Sequence, residues 1–164
     1  MGIRGSLWVG ALAGYASSRA MDAATTWFYA RQDDESKRRE DELAPGGALV
    51  QLGHQLGQAT GRELDDQRAG QIGLAVHRTF GAVYGIIAAT LASRGMGPMK
   101  AGIVVGTAAF VIVDEGTAIS QFTDYPVASH ARGVVGHGTL GLTCGALLWL
   151  TGIGRNGSRS EAGA

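Results

Sequence analysis

The chain has 164 residues, enough for one domain, and its 14 basic residues balance its 14 acidic residues. This balance, without a basic stripe, argues against nucleic-acid binding. The single cysteine, Cys144, excludes an internal disulfide and a cysteine-rich zinc site. Glycine, at 27 residues, is more than twice as frequent as usual, and many glycines lie inside apolar runs, which is typical of membrane helices. We therefore expect one all-α integral-membrane domain over residues 1–154.

Four apolar segments predict a four-helix transmembrane bundle, because a bilayer span needs about 20 mostly apolar residues. The expected spans are at about 5–30, 71–93, 101–121 and 128–152. Trp8 and Trp27 lie near the ends of the first span, where they predict interfacial anchors. Residues 155–164 predict a disordered tail.

Two soluble arrangements compete with the membrane prediction. One is an ordinary helical bundle, and the other treats residues 1–20 as a signal peptide ahead of a soluble chain. A soluble bundle needs polar helix faces, and the last three segments lack them. The pattern therefore favours the membrane.

The polar stretch between the first two spans contains two patterns. The run "RQDDESKRREDE", residues 31–42, predicts a solvated helix end or loop. In the run "ALVQLGHQLGQATG", Leu49, Leu52 and Leu56 recur at helical spacing and predict a short amphipathic helix that lies on the membrane or caps the bundle. His54 lies on its polar side, where we expect it to be solvated.

Each predicted span contains a Gly-x-x-x-Gly pattern, whose small residues let two helix backbones approach closely. The four pairs are Gly10 and Gly14, Gly81 and Gly85, Gly102 and Gly106, and Gly141 and Gly145. One such pair in every span predicts tight helix packing and says nothing about chemistry.

Ionisable residues in the spans are predicted to share one depth. At 1.5 Å per residue, His77 lies about 10 Å, the Asp114–Glu115 pair about 8 Å and His137 about 13 Å from the same side of the bilayer. The predicted intramembrane cluster comprises His77, Asp114, Glu115, His130 and His137. In a straight α-helix Asp114 lies about 80° from the direction of Gly106, nearer the glycine face than Glu115.

The cluster admits two interpretations. Buried histidines and carboxylates can exchange protons, which predicts a proton-responsive or solute-conducting site. The alternative is a set of fixed ion pairs that lock the helices in register. For these we expect Asp22 to pair with Arg19, three residues earlier, and Glu115 to pair with Arg132 or Arg78.

Three blocks of the sequence resemble a known family over residues 60–145. They are "TGRELDDQRAGQIGLAVHRTFGAVYG", "GTAAFVIVDEGTAISQF" and "YPVASHARGVVGHGTLGLTCG". They are similar to the YagU-like family of small bacterial inner-membrane proteins, which is largely uncharacterised and has one member linked to survival in acid. The resemblance implies an inner-membrane location and a part in acid tolerance. The distribution of Lys and Arg predicts cytoplasmic termini.

Other functions remain open at this stage. Haem or a divalent metal is the alternative to a protein without cofactor, and His77, Asp114 and His137 are its candidate ligands. A membrane scaffold that binds copies of itself or a partner membrane protein is a further alternative. The sequence lacks the G-x-S-x-G, P-loop and dinucleotide patterns, so we do not expect an enzyme.

Overall fold

The computed structural model describes residues 3–115 and 124–154, and every regular element in them is helical. The helices are α1 (Ile3–Arg31), α2 (Asp34–Leu43), α3 (Ala48–Ala59), α4 (Asp66–Leu91), α5 (Pro98–Ala109) and α6 (Val127–Leu150). The all-α prediction is confirmed. The end of the predicted third span and the predicted tail, 116–121 and 155–164, lie outside the described residues.

Two short helices, rather than one, connect α1 to α4. The charged run expected as a helix end or loop is a separate helix, α2. Asp33 caps it: its Oδ1 accepts from the backbone N–H of Ser36 and its Oδ2 from the Ser36 hydroxyl, each at 2.8 Å. The helix α3 covers most of the predicted amphipathic segment, and its His54 lies 2.8 Å from Asp66 instead of facing only solvent.

Helix α4 begins five residues before the predicted start, because Asp65 caps its first turn by accepting from the backbone N–H of Arg68 at 2.8 Å. It continues through a π-helical turn at 92–96, where Gly95 has a φ of 99°. Gly97 follows with a φ of 80°, and Pro98 is the first residue of α5. Glycine tolerates these positive φ values and proline suits a first helical turn, so the chain reverses there.

The helices α1, α4, α5 and α6 pack in cyclic order, each against the next, and α6 returns to α1. Glycines let α1 approach α4: a methyl group at Gly10 would lie 2.7 Å from the Gly85 carbonyl oxygen, and one at Gly14 would overlap Gly81. We call this contact the α1–α4 seam.

A second seam joins α5 to α6. A methyl group at Gly141 would lie 2.6 Å from the Gly102 carbonyl oxygen, and one at Gly106 would lie 2.5 Å from the carbonyl oxygen of His137. The eight glycines of the sequence patterns thus face one another across two seams, except that Gly145 packs against Met99 as well as Gly102. Helix α3 packs on α4 in a similar way, through Gly53.

Small residues fill the interior, and large apolar residues lie on the outside. Of the thirteen buried apolar residues in the described ranges, eight are alanines, and large apolar side chains such as Trp8, Ile112 and Leu150 are exposed. Among the described residues, two helical stretches are long and apolar enough to cross a membrane, Asp66–Met96 and Val127–Leu150. In their most apolar windows, 28% and 39% of the residues are buried.

Candidate functional site

The polar residues of the four packed helices gather where α1 ends and α6 begins. The first group links α1 to α4 next to the α1–α4 seam. Asp22 of α1 accepts from two neighbours on α4: its Oδ1 lies 3.0 Å from His77 Nε2, and its Oδ2 bonds to Arg78. The second amino group of Arg78 donates to Ser18 Oγ at 2.9 Å, and its guanidinium lies over the Tyr15 ring.

The predicted Arg19–Asp22 pair is therefore replaced by a pair between helices. Asp22 faces α4 because it continues the face that carries Gly14 and Ser18, whereas Arg19 is exposed on the other side of α1. A spacing of three residues permits contact along one helix but does not require it. Helix α4 places the guanidinium of Arg78 and the imidazole of His77 at the level of Asp22.

The second group joins the end of α5 to α6 through Asp114 and His137. His137 Nε2 lies 3.3 Å from Asp114 Oδ1, and the Phe110 ring is 6.1 Å from the imidazole. The side chain of His137 is only 7% exposed, and that of Asp114 is 23% exposed. The other ring nitrogen, Nδ1, is buried and has no hydrogen-bond partner among the described residues.

A π-helical turn brings Asp114 to His137. After Ala109 the chain winds in this wider form from Phe110 to Glu115. A π-turn holds about one residue more than an α-turn, so it rotates Asp114 away from the direction that a straight α-helix predicts. The carboxylate then faces α6, where a methyl group at Gly133 would come within 2.5 Å of Asp114 Oδ2.

A third group ties α2 to α6 and holds Arg132. Arg132 donates to both carboxylate oxygens of Glu40, at 2.7 Å and 3.2 Å, and to Gln32 Oε1 at 3.2 Å. Gln32 and Ser129 in turn donate to Glu40 Oε1. Glu40 is 9% exposed at its side chain, so its charge is buried with a full set of donors.

The described partner of Arg132 is thus Glu40. The predicted pairing of Glu115 with Arg132 or Arg78 involves a side chain that lies outside the described residues. Glu40 stands in a run of alternating charges, and nothing in that run distinguishes it from its solvated neighbours. Tyr125, just before α6, lies close enough to this group for the charges of Glu40 and Arg132 to shift its pKa. Burial raises the pKa of Tyr125, the negative charge of Glu40 raises it further, and Arg132 opposes the shift.

The four predicted cluster residues whose side chains the structure describes do not meet at one point. His77 belongs to the Asp22 group and His137 to Asp114, while His130 is half-buried in the first turn of α6. The side chain of Glu115 lies outside the described residues. Over the described part of the chain, no three His, Cys, Asp or Glu side chains come together as metal ligands would.

Comparisons with protein-family models, with curated protein sequences and with solved structures find no match to this chain. The functional interpretation therefore depends on the geometry of these groups.

Proposed function

We propose that the protein is an integral membrane protein in which α1, α4, α5 with its π-turn, and α6 form a four-helix transmembrane bundle. The distribution of residue sizes supports this. In water, large apolar side chains are buried to lower the free energy of folding, but here they are exposed on all four helices. Lipid covers such a surface at no cost, and small residues then allow the helices to pack closely.

We further propose that the Asp114–His137 pair is a proton-exchanging site. The observation that carries this proposal is the burial of His137 against the Asp114 carboxylate, with no hydrogen-bond partner for Nδ1 in the part of the chain that the structure describes. Imidazole changes its charge between pH 5 and 8 more readily than any other side chain. No described Lys or Arg contacts this pair, so a proton bound by it changes the net charge of the site.

The surroundings of the pair are consistent with that role. Tyr84 of α4 is a further titratable group that lies within electrostatic range of Asp114. Phe110 covers one side of the imidazole, and the carbonyl oxygen of His137 lies against Gly106. Ionisable groups at membrane depth are costly and commonly mark proton routes or sensors.

The biological role we propose is a response to acid in the bacterial inner membrane, with both termini in the cytoplasm. The resemblance to the YagU-like family suggests this role, and the buried histidine–carboxylate pair provides a chemical means for it. Protonation of the imidazole would turn the contact between His137 and Asp114 into an ion pair, and it would thereby alter the contact between α5 and α6, which the pair bridges.

The membrane proposal is tested by fractionation of cells that express the protein. We expect it to remain with the membranes after washing with alkaline carbonate and to leave them only in detergent. Recovery in the carbonate supernatant would contradict the bundle in lipid.

The proton proposal is tested by nuclear magnetic resonance of the histidine rings in liposomes between pH 8 and 5. We expect a protonation signal that His137→Gln removes and Asp114→Asn alters. Gly133→Ala should alter it as well, because the added methyl group would displace the Asp114 carboxylate without changing any ionisable residue.

The matched control is His54→Gln, which changes a histidine in α3 outside the proposed site and should leave the His137 signal unchanged. Proton flux through the same liposomes separates a sensor from a conducting path. A His137 signal that does not change with pH would refute the proton-exchanging site.

A further inference from the structure

One face of α1 stays uncovered along the length of the helix. Trp8, Leu12, Arg19 and Ala23 follow one another on this face at intervals of four, seven and four residues, and all are exposed. The opposite face packs on α4 and α6. We call the exposed side the free face of α1.

Arg19 interrupts the apolar character of the free face with a charge. No hydrogen bond or ion pair joins it to the described residues, although Arg78 and Arg132 are each held by a carboxylate. The nearest acid on the helix, Asp22, is already bound by Arg78 and His77. Arg19 therefore lacks the kind of partner that the other two arginines have.

The depth of Arg19 in the bilayer makes its lack of a charged partner costly, provided that the proposed membrane location holds. Trp8 and Trp27 are separated by about 29 Å along the axis of α1, close to the thickness of a bilayer core. Arg19 lies about 12 Å from the level of Trp27 and farther from Trp8. Both distances exceed the reach of an arginine side chain, so snorkelling to the headgroups does not solvate the charge. An isolated arginine at that depth is costly.

We propose that the free face of α1 docks a transmembrane helix of a different protein, one that carries an Asp or Glu near its middle. The charge of Arg19 selects the carboxylate, which it can bind through two parallel hydrogen bonds. Ala16 and Ala23 are exposed on either side of Arg19, and their small size permits close approach of a second helix.

A second copy of this chain fits the free face poorly. A two-fold interface would place the same patch on both sides, so Arg19 would oppose Arg19. Asp22 cannot relieve that repulsion without giving up Arg78, which is itself mostly buried. Charge complementarity thus favours a different protein over a homodimer through this face.

The experiment uses the full chain in liposomes and two synthetic spanning peptides of Leu and Ala. One peptide has a single Glu at its centre, and the matched peptide has Gln there. The donor label is on a cysteine introduced at the exposed Glu63 in a Cys144→Ala background, and the acceptor is on the peptide. We expect energy transfer to show about tenfold tighter binding of the Glu peptide.

Variants assign the effect to Arg19. Arg19→Leu should abolish the preference for Glu, and Arg19→Lys should retain part of it. Arg31→Leu is the matched control, because Arg31 stacks on Trp27 at the end of α1 and should not affect the preference.

Equal binding of the two peptides, or a preference that survives in Arg19→Leu, would overturn the docking proposal. Energy transfer between two labelled copies that Arg19→Leu abolishes would also overturn it, since the occupant would then be a second copy. Failure of the protein to float with the liposomes would instead refute the membrane location, before any peptide is added.

Discussion

The two histidine–carboxylate pairs have similar contacts but different neighbours. In the first, the Asp22 carboxylate is shared between His77 and the guanidinium of Arg78. In the second, Asp114 faces His137 without a described arginine or lysine in contact. Arginine stays charged at any pH that a cell tolerates, whereas histidine does not. Asp22 therefore has a permanently charged partner, whereas the described partner of Asp114 is a histidine alone.

On the proposed function, this difference separates a structural role for the first pair from a responsive role for the second. The Asp22 group contains Ser18 and Tyr15 as well as Arg78, and it fixes α1 against α4. The Asp114 group has fewer contacts and sits on a π-helical turn, a feature that often marks functional sites. We therefore regard Asp22 as a fixed counter-ion and Asp114 as the partner in proton exchange.

The largest effect is expected from Gly14→Ala, which removes the first pair by separating its helices. The new methyl group would overlap the Gly81 carbonyl oxygen and lie 2.7 Å from the Gly85 nitrogen. We expect the free energy of unfolding in mixed micelles to fall by about 3 kcal/mol. The pH response of His137 should persist, because it depends on the other seam.

Gly138→Ala is the control for that substitution, since nothing lies within 4 Å of a methyl group added there. Alanine favours helix more than glycine does, so its stability should stay equal or rise slightly. Equal losses from the two substitutions would contradict close packing at the α1–α4 seam.

A smaller but more direct contrast comes from deleting each carboxylate. Asp22→Ala leaves Arg78 without its counter-ion, and we expect a loss of about 2 kcal/mol, reduced from the value for a fully buried pair because Asp22 is partly exposed. Asp114→Ala removes one contact to an imidazole and leaves no described Lys or Arg without its counter-ion, so it should cost about 1 kcal/mol. Unfolding at pH 8 measures both, and the reverse order of losses would invalidate the distinction between the pairs.

Arg78→Gln should make the Asp22–His77 pair resemble the Asp114–His137 pair, in which no described arginine contacts the carboxylate. Asp22 would then depend on protonated His77 for a positive partner. Stability from that ion pair is present while the imidazole is charged and is lost as the pH rises and it becomes neutral. We expect the free energy of unfolding to gain a dependence of about 1 kcal/mol between pH 5 and 8. Adding His77→Gln to Arg78→Gln should remove this pH dependence. If Arg78→Gln alone showed no pH dependence of the free energy of unfolding, that result would contradict the proposed role of Arg78.

The smallest effect is expected at Asp33, which lies outside both pairs. It gives a reference for the loss of stability at acidic pH. Donation from the backbone and then the hydroxyl of Ser36 lowers the pKa of Asp33. Its ionised form therefore stabilises α2 above the pKa of the unfolded chain, and that stability is lost as the pH falls through the folded value. Asp33→Asn keeps an N-cap acceptor and should remove this dependence below about pH 4. If Asp33→Asn also changed the pH dependence of the free energy of unfolding between pH 5 and 8, the response attributed to His137 would have another source.

The helices were more predictable than the contacts between them. Long apolar runs gave α1, α4 and α6 to within about five residues at each end, because apolar length is a property of the sequence itself. The helix α2 was missed, since a highly charged helix and a charged loop have the same composition. Its cap, Asp33 followed by Ser36, was the available signal.

Site residues were easier to choose than to pair. Polar residues in apolar runs stand out, which made His77, Asp114 and His137 candidates. The partner of each depends on the register between two helices, and that register follows from backbone contact at glycines such as Gly14 and Gly81. The π-turn that rotates Asp114 has no signature in "FVIVDE", so its direction could not be predicted.

The interior of alanine, glycine and serine has a consequence for conformational entropy. Alanine and glycine have no side-chain rotamers to lose when they are buried, and buried Ser17 and Ser18 have few. In a bilayer the helices form before they associate, so each glycine has lost its backbone conformational entropy before the helices meet. In the proposed membrane location, association would then immobilise little, while the tryptophans and leucines on the outside would keep their rotamers among mobile acyl chains.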